Sequence, residues 1–306
     1  IGLRVERDHR LQGAPAGTAR AAVEKAASQA LRARAQELAS AADDAFTLSE
    51  IGEIIWQQAV VAHLHLPLDE SDTANLAYLL PQARLLADEA LNGEARQLAE
   101  TRLTQWLRAK FISDLAPLFA LHETKEPDGL ARGLAFQLVE HKGNIARPDI
   151  SDLLGRLDQP MRGQLRKLGV RFGAYNVFLP ALLKPAPARL LALIALLQDQ
   201  KGDRQNDVLQ SRLHALPNAG LTSVPRQDLP PRIYRAAGFY TTQSRAIRLD
   251  MLERLADLIR PLLEADKARQ GFQANEQMMS IMGCGAADLS EILAALGYQP
   301  HEVAPV

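Results

Sequence analysis

Residues 168–190 read LGVRFGAYNVFLPALLKPAPARL. Val170, Phe172, Val177, Phe178, Leu179, Leu182 and Leu183 give this stretch the apolar density of a buried strand or turn, leading into a helix that starts near Pro185 and Pro187. Yet Arg171, Lys184 and Arg189 stand within it, and residues 161–198 contain no acidic residue. Such a segment is either a core with a charged fringe or a surface that meets something negative.

Working outward, residues 186–198 read as a strongly apolar helix, and 149–168 as a helix pair broken near Asp158-Gln159-Pro160. Residues 129–141 form another helix. Residues 83–91, 94–107 and 110–121 read as successive helices, with Asn92-Gly93 as a stop signal. Further upstream, FTLSEIGEIIWQQAVVAHLHL (46–66) carries short β-branched and aromatic runs separated by turn signals at 50–52 and 57–58, which predicts a small antiparallel meander. Residues 18–40, rich in Ala, Arg and Glu, predict one amphipathic helix.

Downstream, 201–207 reads as a surface loop, and the proline, glycine and small polar residues of 216–231 mark a boundary. Residues 238–240 and 246–249 then read as two strands around a turn at 243–245. Asp250 is placed to cap the helix that follows, whose Leu252, Leu255, Leu258, Ile259, Leu262 and Leu263 share one face. A short helix at 275–282, a Gly283-Cys284-Gly285 turn and a helix at 286–296 end the pass.

The expected fold is therefore mainly α with small β elements (α+β): a helical bundle-like core with a short antiparallel meander and a small C-terminal subdomain. Its segments are 1–42 with the long helix, 43–75 with the meander, 76–215 with the helical core and the opening stretch, and 216–306 with a β-hairpin, long helix and helical hairpin.

Composition supports this class. A hydrophobic share of 47% with 23% charged residues is that of a folded chain, and aromatics at 5% favour helices over strands. The single cysteine, Cys284, excludes an internal disulfide and fits a reducing, cytoplasmic compartment. No apolar run approaches the roughly 18 residues a membrane span needs, so no membrane partner is expected. The chain opens on Ile1 rather than Met, which predicts a longer polypeptide.

Net charge is −1, but unevenly laid out. Residues 41–100 hold eleven acidic residues against two basic ones; residues 161–250 hold fourteen basic against five acidic. Either the two halves attract each other, or the basic half faces a polyanion.

Motifs narrow the choice. There is no G-x-x-x-x-G-K-[ST] loop, no G-x-G-x-x-G and no acidic magnesium box, so this chain alone is not expected to hydrolyse nucleotides. His63 and His65 would share one strand face at a spacing that can serve a metal, with Asp69 and Glu70 nearby, but no clear ligand cluster completes them. Cys284 sits in a turn without an evident base.

The terminal helix pair has the outline of a helix-turn-helix, but Asp288, Ser290 and Glu291 give its second helix the wrong sign for a DNA groove. The basic residues remain: Arg162, Arg166, Lys167, Arg171, Lys184 and Arg189 in one group, and Arg232, Arg235, Arg245 and Arg248 interleaved with Tyr234, Phe239 and Tyr240 in another. Cations for phosphates and aromatics for bases are the combination that single-stranded nucleic acid requires.

LGVRFGAYNVFLPALLKPAPARLLAL, preceded by GLARGLAFQLVE (129–140), resembles the region C-terminal to the motor in bacterial DExH-type superfamily 2 helicases related to the RNA helicase of the mitochondrial RNA degradosome. FTLSEIGEIIWQQAVVAHL, SRAIRLDMLERLADLIRP and MMSIMGCGAADLSEILAALGY agree in the same order, so the resemblance spans about residues 45–298. It implies an accessory region of an ATP-dependent RNA helicase, guiding RNA or another single strand beside a motor absent from this chain. ATP and magnesium would belong to that motor, with no cofactor here. The implied partners are the motor domains of the same polypeptide and a ribonuclease. The alternative is a protein-interaction scaffold that docks the motor or an RNA-degradation partner. A third reading is a hydrolase built on His63 and His65.

Overall fold

A computed structural model describes residues 2–3, 16–67, 76–87, 89, 91–127, 129–200, 204–218, 220–265 and 271–300. The chain is mainly α with small antiparallel sheets and divides into two compact units, Ile1–Ser113 and Asp114–Val306. The long helix and the meander, read from sequence as separate segments, thus fall in one unit together with the first helix of the 76–215 segment.

The first unit begins with α1 (Ala16–Ser40) and a four-stranded sheet, β1 (Phe46–Leu48), β2 (Glu53–Trp56), β3 (Ala59–His65) and β4 (Gln82–Leu85), paired in that order. Gln57 and Gln58, at φ 48° and 63°, make the tight turn that sets Trp56 opposite Ala59. Positive φ at both central residues gives a turn the twist that a hairpin needs. α2 (Gly93–Asp114) buries Ala99, Leu103, Trp106, Leu107 and Phe111, a helical spacing. The Trp106 indole packs 5.6 Å from the Phe46 ring and donates to the Asp43 carbonyl.

Two expectations fail here. Residues 82–85 form a strand rather than the start of a helix, with Ala83 and Leu85 inward and Gln82 and Arg84 outward. Ala and Leu favour helices, but the free edge of β3 supplies the backbone partners, and pairing outweighs a weak local propensity. α2 also runs unbroken through 108–109, where a gap between helices was expected. Asp69, Glu70 and most of the loop at 67–73 lie outside the described residues.

The second unit opens with α3 (Ala116–Glu123), α4 (Gly129–Glu140), β5 (Asn144–Ala146), α5 (Ser151–Arg156) and α6 (Gln159–Lys167). Asp158 caps α6 by accepting from the Met161 N–H at 2.8 Å. The opening stretch then supplies β6 (Arg171–Phe172) and β7 (Asn176–Phe178), which join β5 in the order β5-β7-β6. α7 (Pro185–Asp199) buries every residue from Leu190 to Leu196, as a helix apolar on all sides must. α8 (Asn206–His214) and α9 (Pro231–Ala236) pack against it.

β8 (Ser223–Pro225), β9 (Phe239–Thr241) and β10 (Arg245–Arg248) form a second sheet in the order β8-β10-β9. α10 (Leu249–Ala265), α11 (Glu276–Met282) and α12 (Ala286–Ala295) close the chain around Leu252, Leu255, Ile259, Met278, Met282, Leu289 and Ile292. α8 begins inside the expected 201–207 loop, and β8 and α9 interrupt the proline-rich boundary. Pro231 suits the first turn of α9, where its missing N–H costs nothing. Asp250 lies inside the first turn of α10, and its carboxylate takes two bonds from Arg248 at 2.6 and 3.0 Å. Among the described residues no single helix is long and apolar enough to cross a membrane.

Candidate nucleic-acid interface

The loop between β6 and β7 explains how the opening stretch is held. Glu253 of α10 is 2% exposed, and its carboxylate accepts from three consecutive backbone N–H groups: Ala174, Tyr175 at 3.2 Å and Asn176 at 3.1 Å. A buried carboxylate is tolerated only when so satisfied. A Cβ at Gly173 would collide with the carboxyl group, so glycine is required at that close approach. Arg147 braces the same loop, donating through Nη1 to the Gly173 carbonyl at 2.8 Å and through its backbone N–H to the Tyr175 carbonyl at 2.9 Å.

The backbone between β6 and β7 is thus pinned from α10, and the predicted cations flank it. Arg166 and Lys167 end α6 and are exposed, as are Arg171 at the start of β6 and Lys184 at the N-cap position of α7. The Arg166 guanidinium stacks 5.5 Å from the Phe172 ring centre, and that of Arg171 lies 6.0 Å from Phe178. Arg171 has a distant ion pair with Asp257 at 3.9 Å, both side chains being about half exposed. Screening leaves such a pair worth little. Arg162 differs: it donates to the Leu154 and Leu157 carbonyls at 2.7 and 3.2 Å and lies 5.7 Å from the Phe172 centroid, closing the end of α5.

The remaining predicted cations are largely engaged within the protein. Arg189 donates to the Leu213 carbonyl at 3.0 Å. Arg232 pairs with Asp199, which also takes Arg212 at 2.6 Å. Arg235 is exposed and 3.8 Å from Asp149. Arg245 reaches the Ser223 hydroxyl at 2.8 Å and Asp288 at 2.9 Å, and Arg248 grips Asp250. The aromatics expected to stack on bases here are interior: Tyr234 and Phe239 are buried, and the Tyr234 hydroxyl accepts from the Gln227 N–H at 2.7 Å. Tyr240 is half-buried, its hydroxyl bonded to the Ala295 carbonyl at 3.2 Å.

Other candidates resolve similarly. Asp288 and Glu291 of α12 bind Arg245 and Ser244, so the acidic face of the terminal helix pair is turned to the β9–β10 hairpin. Burial pushes the Cys284 thiol up, which disfavours a thiolate. His63 and His65 share a strand face, and burial with the neighbouring Arg84 lowers His65; no group of three metal-ligating side chains occurs among the described residues.

Sequence reasoning missed Glu253, Arg147 and Asn176. Glu253 sat unremarked in an amphipathic helix; its signal is an acidic residue on the apolar face of α10, beside Leu252 and Ala256.

Comparison of this chain with family models, with curated proteins and with solved structures finds no match.

Proposed function

We propose that the second unit guides single-stranded RNA or another single-stranded nucleic acid as an accessory region of an ATP-dependent RNA helicase whose motor is not in this chain. One observation carries the reading: Arg166, Lys167, Arg171 and Lys184 are exposed on either side of a loop anchored by Glu253, and among the described residues the ion pair recorded for them is the distant one from Arg171 to Asp257. Exposed cations flanking an anchored backbone, without a close acid among the described residues, suit a string of phosphates. The helicase assignment itself rests on the quoted blocks, and predicts a phosphate-binding loop and a DExH box in the same polypeptide.

The test is fluorescence anisotropy of a labelled single-stranded RNA at low salt, with the wild type and with R166E/K167E/R171E/K184E. Binding that the quadruple variant abolishes supports the reading. Equal affinities would remove the strip as the interface, and no binding by either would favour a protein-docking role.

A further inference from the structure

A cleft of 560 Å³ opens in the second unit between the start of α5, the β6–β7 loop, β9 and the end of α12, a size common among ligand sites. Arg147, Arg162, Tyr175, Asn176 and Tyr240 line it, and none of its lining residues among the described ones is acidic. Its polar equipment is thus weighted toward donors. Asn176 is 2% exposed, and its Nδ2 is buried with no hydrogen-bond partner. The two aromatic rings are held by their hydroxyls, Tyr175 to Tyr298 at 3.2 Å and Tyr240 to the Ala295 carbonyl at 3.2 Å, so their faces are set in advance.

Gly155 points the same way. It lies in α5, at a φ open to any residue, and an added Cβ would meet nothing within 4 Å. Neither backbone strain nor packing demands glycine, which costs a helix about 1 kcal/mol relative to alanine. Gly155 does line the cleft, and a side chain there would narrow it.

We infer that this cleft binds one nucleotide unit of a single strand, an unstacked base beside the tyrosines with its acceptors or phosphate facing the Arg147 and Arg162 guanidinium groups. Aromatic and guanidinium faces that take a splayed base, with donors for its edge, are how single strands are read. The choice of a nucleotide over another acceptor-bearing ring rests on the nucleic-acid reading above. Arg162 connects the two places, since it lines the cleft and shares the Phe172 ring with Arg166 of the exposed strip.

Calorimetric titration of the whole chain with the four ribonucleoside 5′-monophosphates, and with inorganic phosphate, tests this. At least one nucleotide should bind at least tenfold more tightly than phosphate. Gly155→Leu should weaken it tenfold or more at unchanged thermal stability, and Ala295→Leu, on an exposed lining residue of α12, provides a second block. The inference is overturned if no nucleotide binds, if phosphate binds as well as the nucleotides, or if both blocked variants bind like the wild type. Nucleotide binding without RNA binding by the strip would overturn the guiding function and keep the cleft; RNA binding without nucleotide binding would do the reverse.

Discussion

The two basic regions of the second unit look alike in sequence and differ in space. Around β10, Arg245 meets Asp288, Arg248 meets Asp250, and Ser244 meets Glu291, so nearly every charge is answered within the fold. Around β6, Arg166, Lys167, Arg171 and Lys184 stay exposed, and the buried Glu253 nearby binds backbone N–H groups instead of a cation. Local counts of Lys and Arg therefore do not find an interface. What matters is whether an acid from a distant element arrives, as Asp288 does across 43 residues for Arg245.

The largest effect is expected where the β6 region is anchored. Glu253→Ala leaves three backbone donors without their partner, and should cost about 3 kcal/mol or more in urea unfolding. Gly173→Ala should destabilise similarly by forcing the carboxylate away. If the fixed loop matters for the strip, Glu253→Ala should also weaken RNA binding under conditions where it remains folded.

Next comes the strip. R166E/K167E/R171E/K184E should lower single-stranded RNA affinity about 100-fold at low salt, which corresponds to about 2.8 kcal/mol, with little change in melting temperature. Arg245→Ala should behave in the opposite way. Losing its bonds to Ser223 and Asp288 should cost about 1–2 kcal/mol of stability and leave RNA affinity unchanged. An affinity loss there equal to that of the strip variant would erase the distinction between the regions.

The pH profile supplies smaller effects. Hydrogen bonds, the Ser244 hydroxyl first, hold Glu291 at about 2, below its ordinary 4.5. Its contribution is therefore present above pH 4.5 and lost as pH falls toward 2, and Glu291→Gln should flatten the stability curve in that window. Burial holds Lys142 at about 8 instead of 10.5. Between those values the unfolded chain keeps a proton that the folded chain has lost, so stability should rise with pH, and Lys142→Met should remove the rise. The smallest change belongs to Arg235→Ala, whose exposed 3.8 Å pair with Asp149 should contribute less than about 1 kcal/mol.

The helical class, the β1–β3 meander, the break before α6 and the terminal helix pair were legible because periodicity and turn residues are local signals. β4, β8, α8 and α9 were not. β4 has helix-favouring residues and becomes a strand through pairing with β3, while α9 begins within prolines that read as a boundary. The opening stretch was recognised as both core and charged edge. Its anchor at Glu253 was hidden, because a carboxylate that binds backbone N–H groups 77 to 79 residues away leaves no trace in local composition.

The most direct test is the salt dependence of RNA affinity for the wild type, the four-residue strip variant, and R245A/R248A. With four phosphate contacts the logarithm of the wild-type affinity should fall against the logarithm of salt with a slope of about −2.8. The strip variant should have a slope near zero, and the R245A/R248A variant should keep the wild-type slope. Equal slopes for the wild type and the strip variant, or a slope lost in R245A/R248A instead, would contradict the claim that the β6 strip is the surface that meets the strand.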